Sequence, residues 1–202
     1  KIANQNVYIS IDGPPAIHDY IRGKGVYQRV RENINKSKLD RVVFCCTVNK
    51  RNFAYLEEMT RELARIKNSD LIFALFTPLK SYKKIARYPY SDEQRADLGF
   101  SWEERDRVLE EILRMKRLFP GYILNPDKAI ELMGTKYTQD ITRNCNMPSR
   151  SLALDVKLER KLPCVVGTGV DCDYCGCFFP YVTKALRLQD PESLEFFQKG
   201  YH

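Results

Sequence analysis

VYISIDGPPAIHDYIRGKGVYQRVRENI, residues 7–34, runs from an apolar strand-like segment through a turn cluster into a helical stripe, and its reading decides the fold. Residues 7–11 (VYISI) have strand character and stop at Asp12-Gly13-Pro14-Pro15, a turn cluster. Residues 25–38 carry Val26, Val30 and Ile34 at spacing four, the mark of one helical face. The same alternation then repeats. Residues 41–48 form a second strand rich in β-branched side chains. Residues 53–66 form a second helix with Leu56, Met59, Leu63 and Ile66 on one side and Asn52 as its N-cap. Residues 71–77 form a third strand, stopped by Pro78. Strand and helix alternating over short links predict βαβ units, hence a parallel sheet with right-handed crossovers. The strands are nearly continuous apolar runs, as expected when both faces of a sheet are covered.

Downstream, residues 79–100 are polar and include Tyr88, Pro89 and Tyr90, which predicts a long connection or a lid that sets specificity. Ser101 and Glu104 are spaced as a capping box for a helix over 102–119, whose apolar stripe is Val108, Ile112, Met115 and Phe119. Pro120-Gly121 ends that helix. Residues 122–124 predict a fourth strand and 126–133 a short helix. Near residue 135 the character changes. Residues 151–161 (SLALDVKLERK) place Leu152, Leu154, Val156 and Leu158 at period two, which predicts an antiparallel strand or hairpin arm with one wet face. The chain therefore divides into an α/β part, 1–134, and a cysteine-rich extension, 135–202.

The 202 residues are 44% apolar and 29% charged, enough for a packed core and unlike a disordered chain. No apolar run reaches the roughly 18 residues of a membrane-spanning helix, so a cytoplasmic protein without a transmembrane segment is expected. The net charge of +7 fits either a solvated basic surface or attraction to an anionic partner. No compact basic run is interleaved with aromatics, so a nucleic-acid partner is not expected. The chain begins at Lys1 and passes directly into a strand, which leads to the expectation that a further segment precedes it.

Cys45 and Cys46 are neighbours inside an apolar strand. They point to opposite faces and read as small buried side chains. The other five cysteines lie in the last third: Cys145, then Cys164, Cys172, Cys175 and Cys177 within PCVVGTGVDCDYCGC. A C-x2-C pair brings two sulfurs within reach of one metal. Gly167, Gly169 and Gly176 permit tight turns around it. A disulfide framework fits a small secreted chain better than one with an α/β core. A zinc site and an iron–sulfur cluster both remain open on spacing alone. Cys145, Cys164, Cys172 and Cys175 are the first-choice ligands, with Cys177 as the substitute.

Residues 7–34 also resemble the middle of radical S-adenosylmethionine (SAM) enzymes. The resemblance rests on Ser10, Asp12 and Gly13 at a strand end, His18-Asp19, Arg22-Gly23, and a helix opened by Gly25, Tyr27 and Val30. Thr47-Val48-Asn49 and Phe76-Thr77-Pro78 are similar to the ends of the next strands in that family. Cys145, the alternating segment and Pro163-Cys164 are similar in order to the auxiliary-cluster extensions called SPASM or twitch domains, and the C-x2-C near the end is similar to hopanoid-pathway adenosyltransferases. The likeness covers residues 7–78 and 145–177. It implies the C-terminal half of a partial (β/α)6 TIM-like barrel, with an auxiliary [4Fe-4S] cluster in the extension and zinc as the alternative. It implies SAM contacts at Ser10, Asp12, Arg22, Asn49 and Thr77. It also implies an electron donor such as ferredoxin or flavodoxin, and a peptide, lipid or small-molecule substrate attacked by a 5′-deoxyadenosyl radical. His18 is either an acid–base group or a loop histidine. The family's C-x3-C-x2-C loop does not occur in these 202 residues. The implied second [4Fe-4S] cluster would belong to an upstream segment, and this chain alone would be inactive. The competing reading is a non-enzymatic α/β module, stabilised by zinc or a cluster, that binds an anionic partner.

Overall fold

A computed structural model describes residues 7–37, 39–78, 98–155, 157–167 and 169–199. Three parallel strands form its sheet in the order β1 (Val7–Ser10), β2 (Val42–Val48), β3 (Ser69–Leu75). Val7 pairs with Val42 and Ser10 with Cys45, and β2 runs beside β3 from Val42–Ser69 to Val48–Leu75. The helices α1 (Pro15–Arg22) and α2 (Val26–Lys36) connect β1 to β2, and α3 (Leu56–Leu63) connects β2 to β3. This is the βαβ arrangement the apolar runs predict. Central β2 is covered on both faces, with Val43, Phe44 and Val48 wholly buried. Edge strand β1 alternates between half-buried and exposed positions.

Beyond β3 the sheet continues by a single parallel bridge, Leu71 to Ile123, in place of a full fourth strand. The residue two positions on explains the economy. The buried Asn125 side chain accepts from the Phe73 N–H and donates to the Phe73 carbonyl, both at 2.8 Å. Its amide stands in for a strand residue and satisfies the edge. The sheet formed by the described residues is open.

The long helix α4 (Trp102–Leu118) starts as expected. Ser101 Oγ accepts from the Glu104 N–H at 3.2 Å, and Glu104 returns the bond to the Ser101 N–H at 2.7 Å. Val108, Leu109, Ile112 and Met115 form its buried stripe. Asn52 does not cap α3 with its side chain. A short 3-10 turn, Phe53–Tyr55, intervenes, and the Asn52 amide turns inward to the Asn49 N–H and the Thr47 carbonyl.

The extension departs most from expectation. The short helix predicted over 126–133 forms as α5 (Asp127–Leu132), and the extension itself is mainly helical: α6 (Thr135–Arg143), α7 (Met147–Arg150), α8 (Phe179–Arg187) and α9 (Pro191–Gln198). The period-two segment makes one antiparallel bridge, Leu154 to Arg160, around a corner where Asp155 Oδ1 accepts from the Lys157 and Glu159 N–H groups. Leu152, Leu154 and Leu158 are 72%, 46% and 77% exposed, so their alternation does not mark a face on the core. The arms are too short to reach a second layer. Val156, between them, lies outside the described residues, as do 79–97 of the predicted lid and His202. One hydrophobic cluster runs from Ile11 through β2, β3 and α4 to Phe178, Tyr181 and Phe196. The change of character at 135 is therefore not a break in the core. No helix among the described residues is long and apolar enough to cross a membrane.

Candidate functional site

Two groups of polar and thiol side chains lie at the C-terminal ends of the strands, where parallel α/β sheets place their ligands. The first surrounds Thr47. Asp12, 1% exposed, accepts from the Thr47 N–H at 2.9 Å through Oδ1 and from Arg22 Nε at 2.5 Å through Oδ2. Asn49 is also buried. It donates to the Thr47 carbonyl at 3.0 Å and accepts from the Arg51 N–H at 2.9 Å. Asp12, Arg22 and Asn49 are thus brought together, though both Asp12 oxygens and the Asn49 amide already serve the protein. Ser10 lies on the exposed side of β1 and makes no hydrogen bond to them among the described residues. Arg22 pairs with Asp12 rather than with Asp19, whose carboxylate accepts from the Gly25 and Tyr27 N–H groups at the start of α2. The Tyr27 and Gly25 bonds hold Asp19 below the usual carboxylate range.

His18 is completely buried on α1. Its Nδ1 accepts from the Asp12 N–H at 3.0 Å, which places the ring proton on Nε2, a buried atom with no partner among the described residues. Burial lowers its pKa despite the nearby Asp12. A neutral ring with its acceptor nitrogen engaged is a structural support rather than an exposed loop histidine.

The second group is the cysteine set. The segment carrying Cys172, Cys175 and Cys177 is stitched to the end of β3. The Leu75 N–H donates to the Gly176 carbonyl at 2.9 Å, the Gly176 N–H to Thr77 Oγ1 at 2.9 Å, and the Asp171 N–H to the Pro78 carbonyl at 2.9 Å. Thr77 therefore belongs with the cysteines and not with Asp12. A Cβ at Gly176 would stand 2.0 Å from the Leu75 oxygen, so only glycine permits this approach. Tyr174 stacks on Trp102 with centroids 4.4 Å apart. Arg105, on α4, donates to the Cys175 carbonyl at 2.8 Å and holds the segment from behind.

All seven cysteines are thiols rather than disulfides. Burial pushes the Cys175 thiol up to about 12, with Cys177, Cys145 and Cys172 adding to the rise. Burial pushes Cys177 up to about 11, with Cys164 and Cys145 adding. Cys145 is raised by burial and then by Cys164. The five thiols of the extension come from three separate stretches of chain. Among the described residues no three or more His, Cys, Asp or Glu side chains already close around a common point. Thiols are the soft sulfur donors that zinc and iron–sulfur centres use, but as placed these side chains do not surround a metal position. Cys45 and Cys46 are remote in role: burial raises Cys45 to about 11 and Cys46 well above its usual value, as for packed, unreactive thiols.

Sequence reasoning missed Arg105 and the Trp102–Tyr174 stack, since neither has a local motif. A cavity of about 210 Å3 beside Cys145, lined also by Asn146, Thr183, Lys184 and Arg187, was likewise invisible. Compared with known proteins, the chain matches no family model, no curated protein and no solved structure.

Proposed function

We propose that this chain is the C-terminal part of a radical SAM enzyme, a partial (β/α)6 barrel whose cysteine extension carries an auxiliary iron–sulfur cluster. The observation that carries the reading is the segment bearing Cys172, Cys175 and Cys177, held against the C-terminal end of β3 through Thr77 and Gly176. The strand-end signatures at Ser10, Asp12, Asn49 and Thr77 support it from the sequence side.

The chemistry supplied by bound SAM and a reduced cluster is the generation of an organic radical. The residues of this chain bind and orient. Asp12 engages Arg22 through Nε alone, and Arg22 remains 37% exposed. In this reading its terminal nitrogens take the SAM carboxylate while Asp12 positions them. Asn49 and Asn52 shape the turn after β2, beside Asp12 and Thr47. Cys145, Cys164, Cys172 and Cys175 would hold the auxiliary cluster, with Cys177 as the substitute for any one of them. The C-x3-C-x2-C ligands would come from polypeptide outside these 202 residues, and the electron from a ferredoxin or flavodoxin.

The test is an iron and acid-labile sulfide assay on the protein purified and reconstituted without oxygen. About four irons and four sulfides per chain are expected, with brown colour lost in the double variant Cys172→Ala/Cys175→Ala. A colourless protein holding about one zinc would favour the non-enzymatic binding module instead.

A further inference from the structure

Five aliphatic side chains between residues 152 and 165 face solvent: Leu152, Leu154, Leu158, Leu162 and Val165, at 72%, 46%, 77%, 55% and 56% exposure. They sit on and beside the hairpin closed by the Leu154–Arg160 bridge. The Asp155 N–H donates to the Glu159 carbonyl at 2.9 Å and the Lys161 N–H to the Ala153 carbonyl at 2.8 Å on either side of that bridge. Alternation along the arms sets Leu152 and Leu162 on the same face as Leu154. None of the five belongs to the hydrophobic cluster that joins the sheet to the extension helices. Leu158, at the turn, is left-handed with φ 64°. That conformation disfavours a bulky apolar side chain, and asparagine adopts it more readily. A leucine so exposed at that position serves neither the turn nor the core.

Exposed apolar side chains gathered in one small element mark an interaction surface, and their companions say of which kind. Arg150, Lys157 and Arg160 are exposed beside the leucines. Residues 150–165 hold four bases against two acids, and one of the acids, Asp155, is spent on the turn. The whole chain carries +7. Protein hot spots are enriched in tryptophan, tyrosine and arginine, with leucine under-represented, and residues 151–165 contain no aromatic side chain. Leucines flanked by lysine and arginine match instead an anionic bilayer, whose acyl boundary takes the aliphatic side chains while its headgroups take the bases. We propose that this hairpin docks the chain on the surface of an anionic phospholipid bilayer, with Leu152 and Leu158 inserting and Lys157 meeting the headgroups. The contact is peripheral, since no helix among the described residues is long and apolar enough to cross a membrane. It goes beyond the cluster reading above and needs no thiol or metal.

The test is co-sedimentation of the full chain, kept reduced, with vesicles of phosphatidylcholine alone or of phosphatidylcholine mixed with phosphatidylserine. Binding to the mixed vesicles is expected, about tenfold or more weaker on phosphatidylcholine alone, and weakened in about 1 M salt, where screening acts within about 3 Å. The double variant Leu152→Ser/Leu158→Asn should lose about tenfold or more in affinity for the mixed vesicles, with its melting midpoint unchanged or raised. Lys157→Glu should lose about tenfold. The inference is overturned if the unaltered protein does not bind the mixed vesicles, if the double variant binds them equally well, or if both vesicle types bind alike. Self-association of the unaltered protein, abolished in the double variant and without vesicle binding, would assign the face to a protein interface and equally overturn it. If the double variant does not fold, Lys157→Glu decides: a tenfold loss upholds the bilayer contact and unchanged affinity removes it.

Discussion

Asp12 and His18 are joined through one backbone N–H, and that bond fixes the protonation of the ring. The His18 Nδ1 can accept it only while unprotonated, and burial holds the ring below its ordinary pKa. The unfolded chain takes up a proton near pH 6.5, as free histidine does, while the folded chain does not until lower pH. The unfolded state therefore binds more protons through this window. The contribution of His18 is complete above about pH 6.5 and is lost as pH falls through the folded value. The urea midpoint should fall more steeply between about pH 7.5 and 5.5 in the unaltered protein than in His18→Asn, whose amide oxygen accepts the same N–H without titrating. Equal slopes would remove His18 as the source. At the same scale, the identity of Asp12 was legible from its strand-end position, but its partner was not. Arg22 lies ten residues away and Thr47 thirty-five, and only folding sets them side by side.

Elements with local, repetitive signals were read well. The helix α4 was announced by its capping box, and the bonds formed as the spacing requires. Ser101→Ala should cost about 1 kcal/mol in urea unfolding. Glu103→Ala, which leaves the box intact, should cost measurably less. The α2 and α3 crossovers followed from apolar spacing, and β2 from its unbroken apolar run. The segment 151–161 misled because period two records alternation and not what the apolar side is to face. In a hairpin with one bridge, the leucines point to solvent. The helix α9 did carry a local sign that was passed over. Asp190 caps it by accepting from the Ser193 N–H at 2.8 Å, and Pro191 occupies its first turn. The contact between β3 and the cysteine segment belongs to this scale too. Gly176→Ala cannot keep that approach, and should destabilise the chain by about 1–3 kcal/mol while lowering metal uptake in the same preparation. Unchanged stability and uptake would show that the two backbones separate freely.

Among the described residues one hydrophobic cluster joins the sheet to helices of the extension. That continuity gives those helices a fixed relation to β3 instead of leaving them on a tethered appendage. It also makes the basic net charge of +7 less informative than Arg105, a buried cation against the Cys175 carbonyl. Surface charge is screened within about 8 Å at physiological salt, whereas buried charges are screened much less.

By itself the sequence determined the parallel βαβ order, the start of α4, the buried character of Cys46 and the concentration of thiols near the end of the chain. These depend on residue type and on neighbours within a few positions, where spacing and propensity act directly. Only the tertiary structure decided that Thr77 grips the cysteine segment, that Asp12 is spent on Arg22 and Thr47, and that Arg105 is buried against the Cys175 carbonyl. Those are contacts between residues thirty-five to ninety-nine apart in mixed pairs of strand, helix and loop, or ten apart across a turn. Their energy exists only once packing has removed water from both partners.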